Sequence, residues 1–293
     1  MNAPLLSICI PTYKRAHCLK DCLNSIVSQF EDADAYAKVE VIISDNASDD
    51  NTEDVVREFQ AKYPNIKYYK NENNIGFDRN FLSVIEKSSG EFCLPIGDDD
   101  AFFPGSFSVL IHKIQTLKFP YYLLNGWGYD HELANPVVSH PNRKMQEDIS
   151  YGSLSEFVRS IPDYMDLVGN FGGMSHLFAR KAWMEFAGKE KFVGCQVNHL
   201  FAFLTIFKDS PCAILAEPVI KTRNDNMRWD SFPGLENSMA RAKLTAKTVF
   251  WISDLYDLNI PHYKVRSYFF IRAYWISLKE FAKRVLSSIG LRK

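Results

Sequence analysis

The chain has 293 residues, 46% of them hydrophobic and 24% charged, with 22 Phe, 14 Tyr, 5 Trp and a net charge of −1. That composition excludes disorder and suits one large α/β domain with an appendage. No run of 18 apolar residues predicts a spanning helix, and Met1-Asn2-Ala3-Pro4 lacks a basic, apolar leader, so a cytoplasmic protein is expected.

Leu5 to Ile10 is an apolar run stopped by Pro11, which predicts a buried parallel strand. Leu19, Cys22, Leu23, Ile26, Val27 and Phe30 then recur at helical spacing. Val39 to Ser44 predicts a second buried strand. Asp50 and Glu53 suggest a capping box for a helix that buries Val55, Val56, Phe59 and Tyr63. Ile66 to Lys70 is a third strand, and Phe77, Phe81, Val84 and Ile85 mark a third helix. Phe92 to Ile96 is a fourth strand, Phe107 to Leu117 a fourth helix, and Tyr121 to Leu124 a fifth strand. Such βα repetition predicts a Rossmann-like, mostly parallel sheet flanked by helices, with ligands beyond the carboxyl ends of its strands. Residues 125–175 have loop-like composition. Helices are expected at 153–160 and 195–207, a strand at Ala213 to Ile220, and helix after residue 236.

The strand ends carry the chemistry. Ile96-Gly97-Asp98-Asp99-Asp100 places three carboxylates directly after a buried strand. Their mutual repulsion is relieved by a hard divalent cation such as Mn²⁺ or Mg²⁺, or else the turn is a solvated helix start. Asp45 ends the second strand, 53 residues earlier, and opens onto the same edge. There it can accept a hydrogen bond from a base or ribose, or cap the following helix, as Asp49 or Asp50 also can. Lys14, Arg15 and Arg79 can meet phosphate charge. Neither a P-loop nor a GxGxxG fingerprint is present.

Leu6-Ser-Ile-Cys-Ile-Pro-Thr-Tyr-Lys-Arg15, Val41-Ile-Ile-Ser-Asp-Asn-Ala-Ser-Asp-Asp50, Asn73-Asn-Ile-Gly-Phe-Asp-Arg-Asn80 and Ser89-Gly-Glu-Phe-Cys-Leu-Pro-Ile-Gly-Asp-Asp-Asp100 resemble, in order and spacing, the glycosyltransferase family 2 domain. The resemblance implies a GT-A fold, a nucleotide-diphosphate sugar donor, a divalent metal and usually inversion at the anomeric carbon. It implies that Pro11, Thr12 and Tyr13 border the base, that Asp45 binds base or ribose, and that Asn74, Gly76 and Asn80 occupy family positions. Asn80 can equally tie its helix to the strand ends. Asp98, Asp99 and Asp100 occupy the metal-binding region. Relatives carry an acid where Gly97 stands, so the ligand falls on Asp99 or on Asp100 according to which alignment is taken.

Inverting relatives usually place an acid pair in the acceptor half as general base. Phe192-Val-Gly-Cys-Gln-Val-Asn-His-Leu200 has none, which leaves His199 first, unless it is a packed or helix-capping histidine, with Asp166 and Glu190 as the other candidates. Gly172-Gly-Met-Ser-His176 either shapes an acceptor pocket or is a plain turn. Arg223 and Arg228 belong to a stretch that closes over the donor phosphates in relatives, or to an ordinary polar loop. The Gly-Asp-Asp-Asp form is similar to an abequosyltransferase-like subset, which implies O-antigen synthesis.

Residues 261–293 hold eight basic residues against one acid, so this segment carries +7 and the remainder −8. Lys264, Arg272, Lys279 and Lys283 share a helical stripe with Tyr268 and Trp275. That stripe predicts peripheral contact of 262–293 with anionic lipid, and hence access to a lipid-linked glycan acceptor. A solvated helix edge and a subunit contact are the alternatives. Nucleic acid is not expected as a partner. The six cysteines lack metal spacing and predict reduced, mostly buried thiols. The resulting organisation is a catalytic domain over 1–235, with donor half 1–120 and acceptor half 121–235, followed by a helical basic region over 236–293. The rivals are a non-catalytic glycan-binding relative and a sugar-phosphate nucleotidyltransferase.

Overall fold

A computed structural model describes residues 3–139, 145–162, 176–194, 198–224 and 238–258, with Ile260, Tyr263 and Val265. The chain divides into two compact units. The first comprises Met1–Phe157 with Gly169–Asn226, and the second Val158–Val168 with Met227–Lys293.

Four parallel strands build the first half of the large unit: β1 (Leu6–Thr12), β2 (Val39–Asp45), β3 (Ile66–Lys70) and β4 (Phe92–Pro95). Every residue of β1, β2 and β4 is buried, as their continuous apolar runs require, whereas edge strand β3 is half-exposed. The β1–β2 register runs from Leu6 opposite Val39 to Thr12 opposite Asp45, so the two polar strand ends lie side by side. Helices α1 (Ala16–Val27), α2 (Ala33–Lys38), α3 (Thr52–Gln60) and α4 (Phe77–Glu86) connect these strands. The stripe predicted for α1 faces inward through Leu19, Cys22, Leu23 and Ile26. Burying each such aliphatic side chain contributes about 1.5–3 kcal/mol.

The capping box does not form. Asp50 instead serves two helices: one oxygen accepts Thr52 N–H and O–H at the start of α3, and the other accepts the Ala16 N–H at the start of α1. Glu53 turns outward to Arg57 and Lys70, where its charge is better used than on an already satisfied helix end.

The second half is mixed rather than parallel. It contains β5 (Ala101–Phe102), α5 (Ser106–Leu117), β6 (Tyr121–Tyr129), β7 (Pro136–Ser139), β8 (Ile149–Tyr151), α6 (Leu154–Ser160), β9 (His176–Ala179), α7 (Arg180–Glu185), α8 (Asn198–Ile206) and β10 (Cys212–Arg223). The sheet order is β3-β2-β1-β4-β9-β6-β10-β5, with β7 beside β6 and β8 beside β10. Strand β9 runs antiparallel to both β4 and β6 and joins the two halves. The stretch expected as loop from residue 125 thus holds the end of β6 together with β7 and β8. Strand β10 pairs with β6 across two register shifts around Pro218, which lengthens it beyond the predicted apolar run.

The core changes character across the sheet. Aliphatic side chains fill the β1–β4 side. Around β9 the packing is aromatic, with Phe203 stacked on His176 at 4.7 Å and close to Phe178 at 4.9 Å and Trp183 at 5.2 Å. Cys9, Cys18, Cys22, Cys93 and Cys212 are buried free thiols.

In the second unit, α9 (Ser238–Tyr256) buries Val249, Ile252 and Tyr256. Arg159 donates from Nε to the Tyr256 carbonyl at 3.3 Å. Among the described residues no helix is long and apolar enough to cross a membrane. Nearly all of the basic stripe over 262–293 lies outside the described residues, as do Asp166, Arg228 and Gly172 to Ser175.

Candidate active site

The carboxyl edge of the parallel strands gathers the polar residues. After β1, Lys14 takes a left-handed backbone (φ 53°), and after β2 Ala47 does the same (φ 63°). The two turns are tied together, because Lys14 N–H donates to Ser48 Oγ at 2.8 Å and Ser48 Oγ donates to Asp45 Oδ1 at 2.5 Å. Asp45 also accepts Ser48 N–H at 2.9 Å and the Tyr68 hydroxyl at 2.5 Å. It is fully buried. Asp45, the candidate base or ribose contact, thus also fixes the turn after β2 through Ser48 and Tyr68. Burial, together with the adjacent Asp45, pushes the Tyr68 phenol well above its ordinary range, so the hydroxyl stays a donor.

A second polar cluster organises the turn before α4. Asn46 donates to Asn74 Oδ1 at 2.8 Å, and Asn74 Oδ1 also accepts Gly76 N–H at 2.9 Å. Asn80 accepts from Ser44 Oγ and donates to the Ser44 carbonyl, both at 2.8 Å. Asn80 therefore ties its helix to the end of β2, and Asn74 shapes the turn.

The three aspartates follow β4. Thr12 Oγ1 donates to Asp98 Oδ2 at 2.7 Å, and Arg15 Nη1 bridges Asp98 Oδ1 at 3.2 Å and Asp99 Oδ2 at 2.9 Å. Burial pushes Asp98 up to about 6, aided by the Asp99 charge and opposed by Arg15. Burial and then Asp99 also drive Asp100 well above the usual carboxylate range, against the pull of the Arg223 N–H. Acids crowded together at such a cost make this turn a candidate functional site. Pro11 is buried in β1, and half-buried Tyr13 lies under Lys14 Nζ, 5.3 Å from the ring centroid.

Gly97 explains how the turn closes. A methyl group there would meet Asp99 Oδ1 at 2.8 Å and Asp100 Oδ2 at 3.0 Å. Two carboxylate oxygens thus converge on the space that a side chain at position 97 would fill. Gly97 leaves room for both oxygens against its backbone, and neighbouring carboxylate oxygens are hard donors chemically suited to Mg²⁺ or Mn²⁺. Asp98, committed to Thr12 and Arg15, holds the turn. No preformed cluster of three ligating side chains occurs among the described residues, so an ion here would rely on few protein ligands.

Other expected site residues go elsewhere. Arg223, expected over the donor phosphates, is folded inward with its side chain 3% exposed. Arg79 and Glu190, expected to contact donor and acceptor separately, face each other at 3.4 Å with both side chains exposed. His199 was expected as a base. It is buried between Phe81 (5.3 Å) and Phe77 (6.1 Å), and its Nδ1 finds no hydrogen-bond partner among the described residues. Burial, reinforced by nearby His176, pushes it down to about 3, which leaves little basicity near neutral pH. His176 is buried too, its Nδ1 2.6 Å from the Tyr121 hydroxyl.

The strand order, the acid turn beyond β4 and the curled, helix-flanked sheet define a GT-A glycosyltransferase fold. The S. aureus TarS 1–349 structure in complex with UDP-GlcNAc superposes with a TM-score of 0.62 at 14% identity, over 89% of this chain and 69% of that one. Mannosyltransferase PcManGT from Pyrobaculum calidifontis, in complex with GDP-Man and Mn²⁺, gives 0.54 at 12% identity over 100% and 82%.

The chain belongs to glycosyl transferase family 2, whose profile matches residues 7–161. It is 31% identical over 234 residues to abequosyltransferase RfbV of Salmonella typhimurium, covering 78% of this chain and 68% of the relative. It is 28% identical over 209 residues to the GalNAc(5)-diNAcBac-PP-undecaprenol beta-1,3-glucosyltransferase of Campylobacter jejuni, covering 70% of this chain but only 60% of the relative.

Proposed function

We propose that this glycosyltransferase moves a sugar from a nucleotide-diphosphate sugar to a glycan acceptor of bacterial surface polysaccharide, with a divalent cation at the acid turn and inversion at the anomeric carbon. The convergence of Asp99 Oδ1 and Asp100 Oδ2 over Gly97 carries the reading. Asp99 and Asp100 would hold the ion, with Asp98 fixed behind them by Thr12 and Arg15. When bound, such an ion offsets the charge of the departing diphosphate. Thr12 and Tyr13 border the donor from β1, and Asp45 and Asn74 hold the loops that frame it.

Of His199 and Glu190, the two candidate bases among the described residues, Glu190 has the better setting: an exposed carboxylate, held at 3.4 Å by Arg79 of α4. In an inverting transfer it accepts the acceptor hydroxyl proton as that oxygen attacks C1. The bond between C1 and the diphosphate oxygen breaks, and the electron pair leaves with the nucleoside diphosphate. A Glu190→Gln variant that keeps donor binding and loses turnover supports this role. Full turnover in that variant passes the role to Asp166.

The relative named for an undecaprenol-linked substrate supports a lipid-linked acceptor, and the +7 charge of residues 261–293 supports contact with the anionic surface carrying it. The test of the donor reading is a thermal-shift panel of UDP, GDP, CDP and dTDP, with and without Mn²⁺, on the wild type and Asp99→Ala. A ligand at 100-fold over Kd stabilises by about 2.7 kcal/mol. Metal-dependent stabilisation by one nucleotide, lost in Asp99→Ala, supports the reading. The same melting curve under all conditions overturns it.

A further inference from the structure

We infer that Arg223 is a positioning residue that sets the cation-facing direction of Asp99 and Asp100, and that it is not a ligand of the donor phosphates. The inference rests on the cation reading above and goes beyond it by assigning the group that holds the turn in shape.

Arg223 ends β10, and four of its nitrogens donate inside the fold. Its backbone N–H reaches Asp100 Oδ1 at 3.0 Å, and its Nε reaches the Asp99 carbonyl at 2.9 Å. Nη1 donates to the His131 carbonyl, and Nη2 to Asp21 Oδ2 at 2.8 Å. One residue therefore joins the acid turn, helix α1 and the segment following β6. The two bonds to the turn fall on the same two residues whose remaining carboxylate oxygens converge over Gly97.

Fixing the Asp99 carbonyl sets the backbone from which its side chain leaves. Fixing Asp100 Oδ1 through the backbone N–H of residue 223 turns Oδ2 toward Gly97, beside Asp99 Oδ1, and this bond persists in Arg223→Lys. The side chain acts through the Asp99 carbonyl, where a guanidinium suits the task because its planar fork donates along several fixed directions, whereas an ammonium is a single point charge. Asp21, about half-exposed, is the outer anchor, and the Arg223 side chain is almost wholly covered. For a phosphate to use this guanidinium, the bonds to Asp21 and His131 would first have to break. Groups that orient metal ligands without touching the metal typically govern 10–100-fold of its affinity.

The experiment titrates Mn²⁺ alone into wild type, Arg223→Lys and Asp21→Asn. Free ion is read by its electron paramagnetic resonance signal, thermal melts run in parallel, and metal-free affinity is measured for UDP, GDP, CDP and dTDP. The expected result is Mn²⁺ binding weakened about tenfold or more in Arg223→Lys and by a smaller factor in Asp21→Asn. Both variants melt cooperatively, and metal-free nucleotide affinity is unchanged. Wild-type Mn²⁺ affinity in Arg223→Lys together with weakened nucleotide binding overturns the inference and returns Arg223 to the phosphates. If Arg223→Lys fails to fold, Asp21→Asn decides, and unaltered Mn²⁺ affinity there overturns it. A wild type that binds no Mn²⁺ overturns both the inference and the cation reading, whereas a wild type that binds and variants that match it overturn the inference alone.

Discussion

Two buried acid centres sit at opposite ends of the same parallel strands and are treated in opposite ways. At the amino edge, Glu40 begins β2 with its side chain 4% exposed. It accepts from Ser7 Oγ at 2.6 Å, Ser89 N–H at 2.6 Å, Gly90 N–H at 3.1 Å and Lys67 Nζ at 2.7 Å. Burial pushes its carboxyl up, but Lys67, Ser7 and Ser89 together outweigh that and hold it below its ordinary value. Gly90 makes the closeness possible, since a Cβ there would meet Ser7 Oγ at 2.6 Å and Ser7 N at 2.8 Å. At the carboxyl edge, Arg15 bridges Asp98 and Asp99, Asp100 accepts the Arg223 backbone N–H, and Asp98 and Asp100 are pushed up. The fold satisfies one carboxylate with several donors at the amino edge, and crowds three acids together at the edge where the proposed reading puts a cation.

Neutralising one acid at the carboxyl edge breaks this contrast most severely. Asp100→Asn keeps an acceptor for the Arg223 N–H while removing charge. Transfer is expected to fall by about 10²-fold or more, as loss of metal-borne charge stabilisation implies. The melting temperature is expected to hold or rise, because a repelling buried charge has gone. Initial rates beside a thermal melt check this, and a large drop in melting temperature would show the acid to be structural.

The reciprocal change at the amino edge is Glu40→Gln. Its expected cost is about 2 kcal/mol of stability at neutral pH, with turnover per folded molecule unchanged. Because the folded Glu40 value is lowered, its stabilisation is present above about 4.5 and is lost as pH falls through the folded value. Urea unfolding at pH 7 and below pH 4 should therefore show the gap between wild type and Glu40→Gln closing in acid.

Gly97→Ala sharpens the comparison. The added methyl meets the Asp99 and Asp100 oxygens and forces them apart, so activity and Mn²⁺ response drop while the strands are untouched. Kinetics across a Mn²⁺ series test this. Arg79→Ala is expected to have the smallest effect on stability, below about 1 kcal/mol, because its partner Glu190 is solvent-exposed. Denaturant melts measure it.

Much of the donor half was legible because its signals are local. Continuous apolar runs announced β1, β2 and β4, and the acids at their ends are adjacent in sequence. Glu40 and Tyr68 were missed, since their importance lies in partners 27 to 50 residues and 23 residues away respectively. Asp45 was seen, but its saturation by Ser48 and Tyr68 requires the folded register. The capping-box pattern at Asp50 misled because the side chain serves a second helix brought beside it in space. His199 stands in an apolar run that is compatible with a packed histidine as well as a base; the packing of α8 against Phe77 and Phe81 decides for burial. Strand β9, four residues after a Gly-rich stretch, has no periodicity long enough to read.

That short strand also imposes an order on synthesis. Because β9 stands between β4 and β6, neither of those strands has its full complement of neighbours until residues 176–179 have been made. At about 5–20 residues per second, the interval between completing β6 and completing β9 lasts about 3–10 seconds. During that time two edges of the future sheet present open ladders to any other chain. A four-residue segment thus decides how long the facing edges of β4 and β6 stay open, while the other edge of β6 waits for β10.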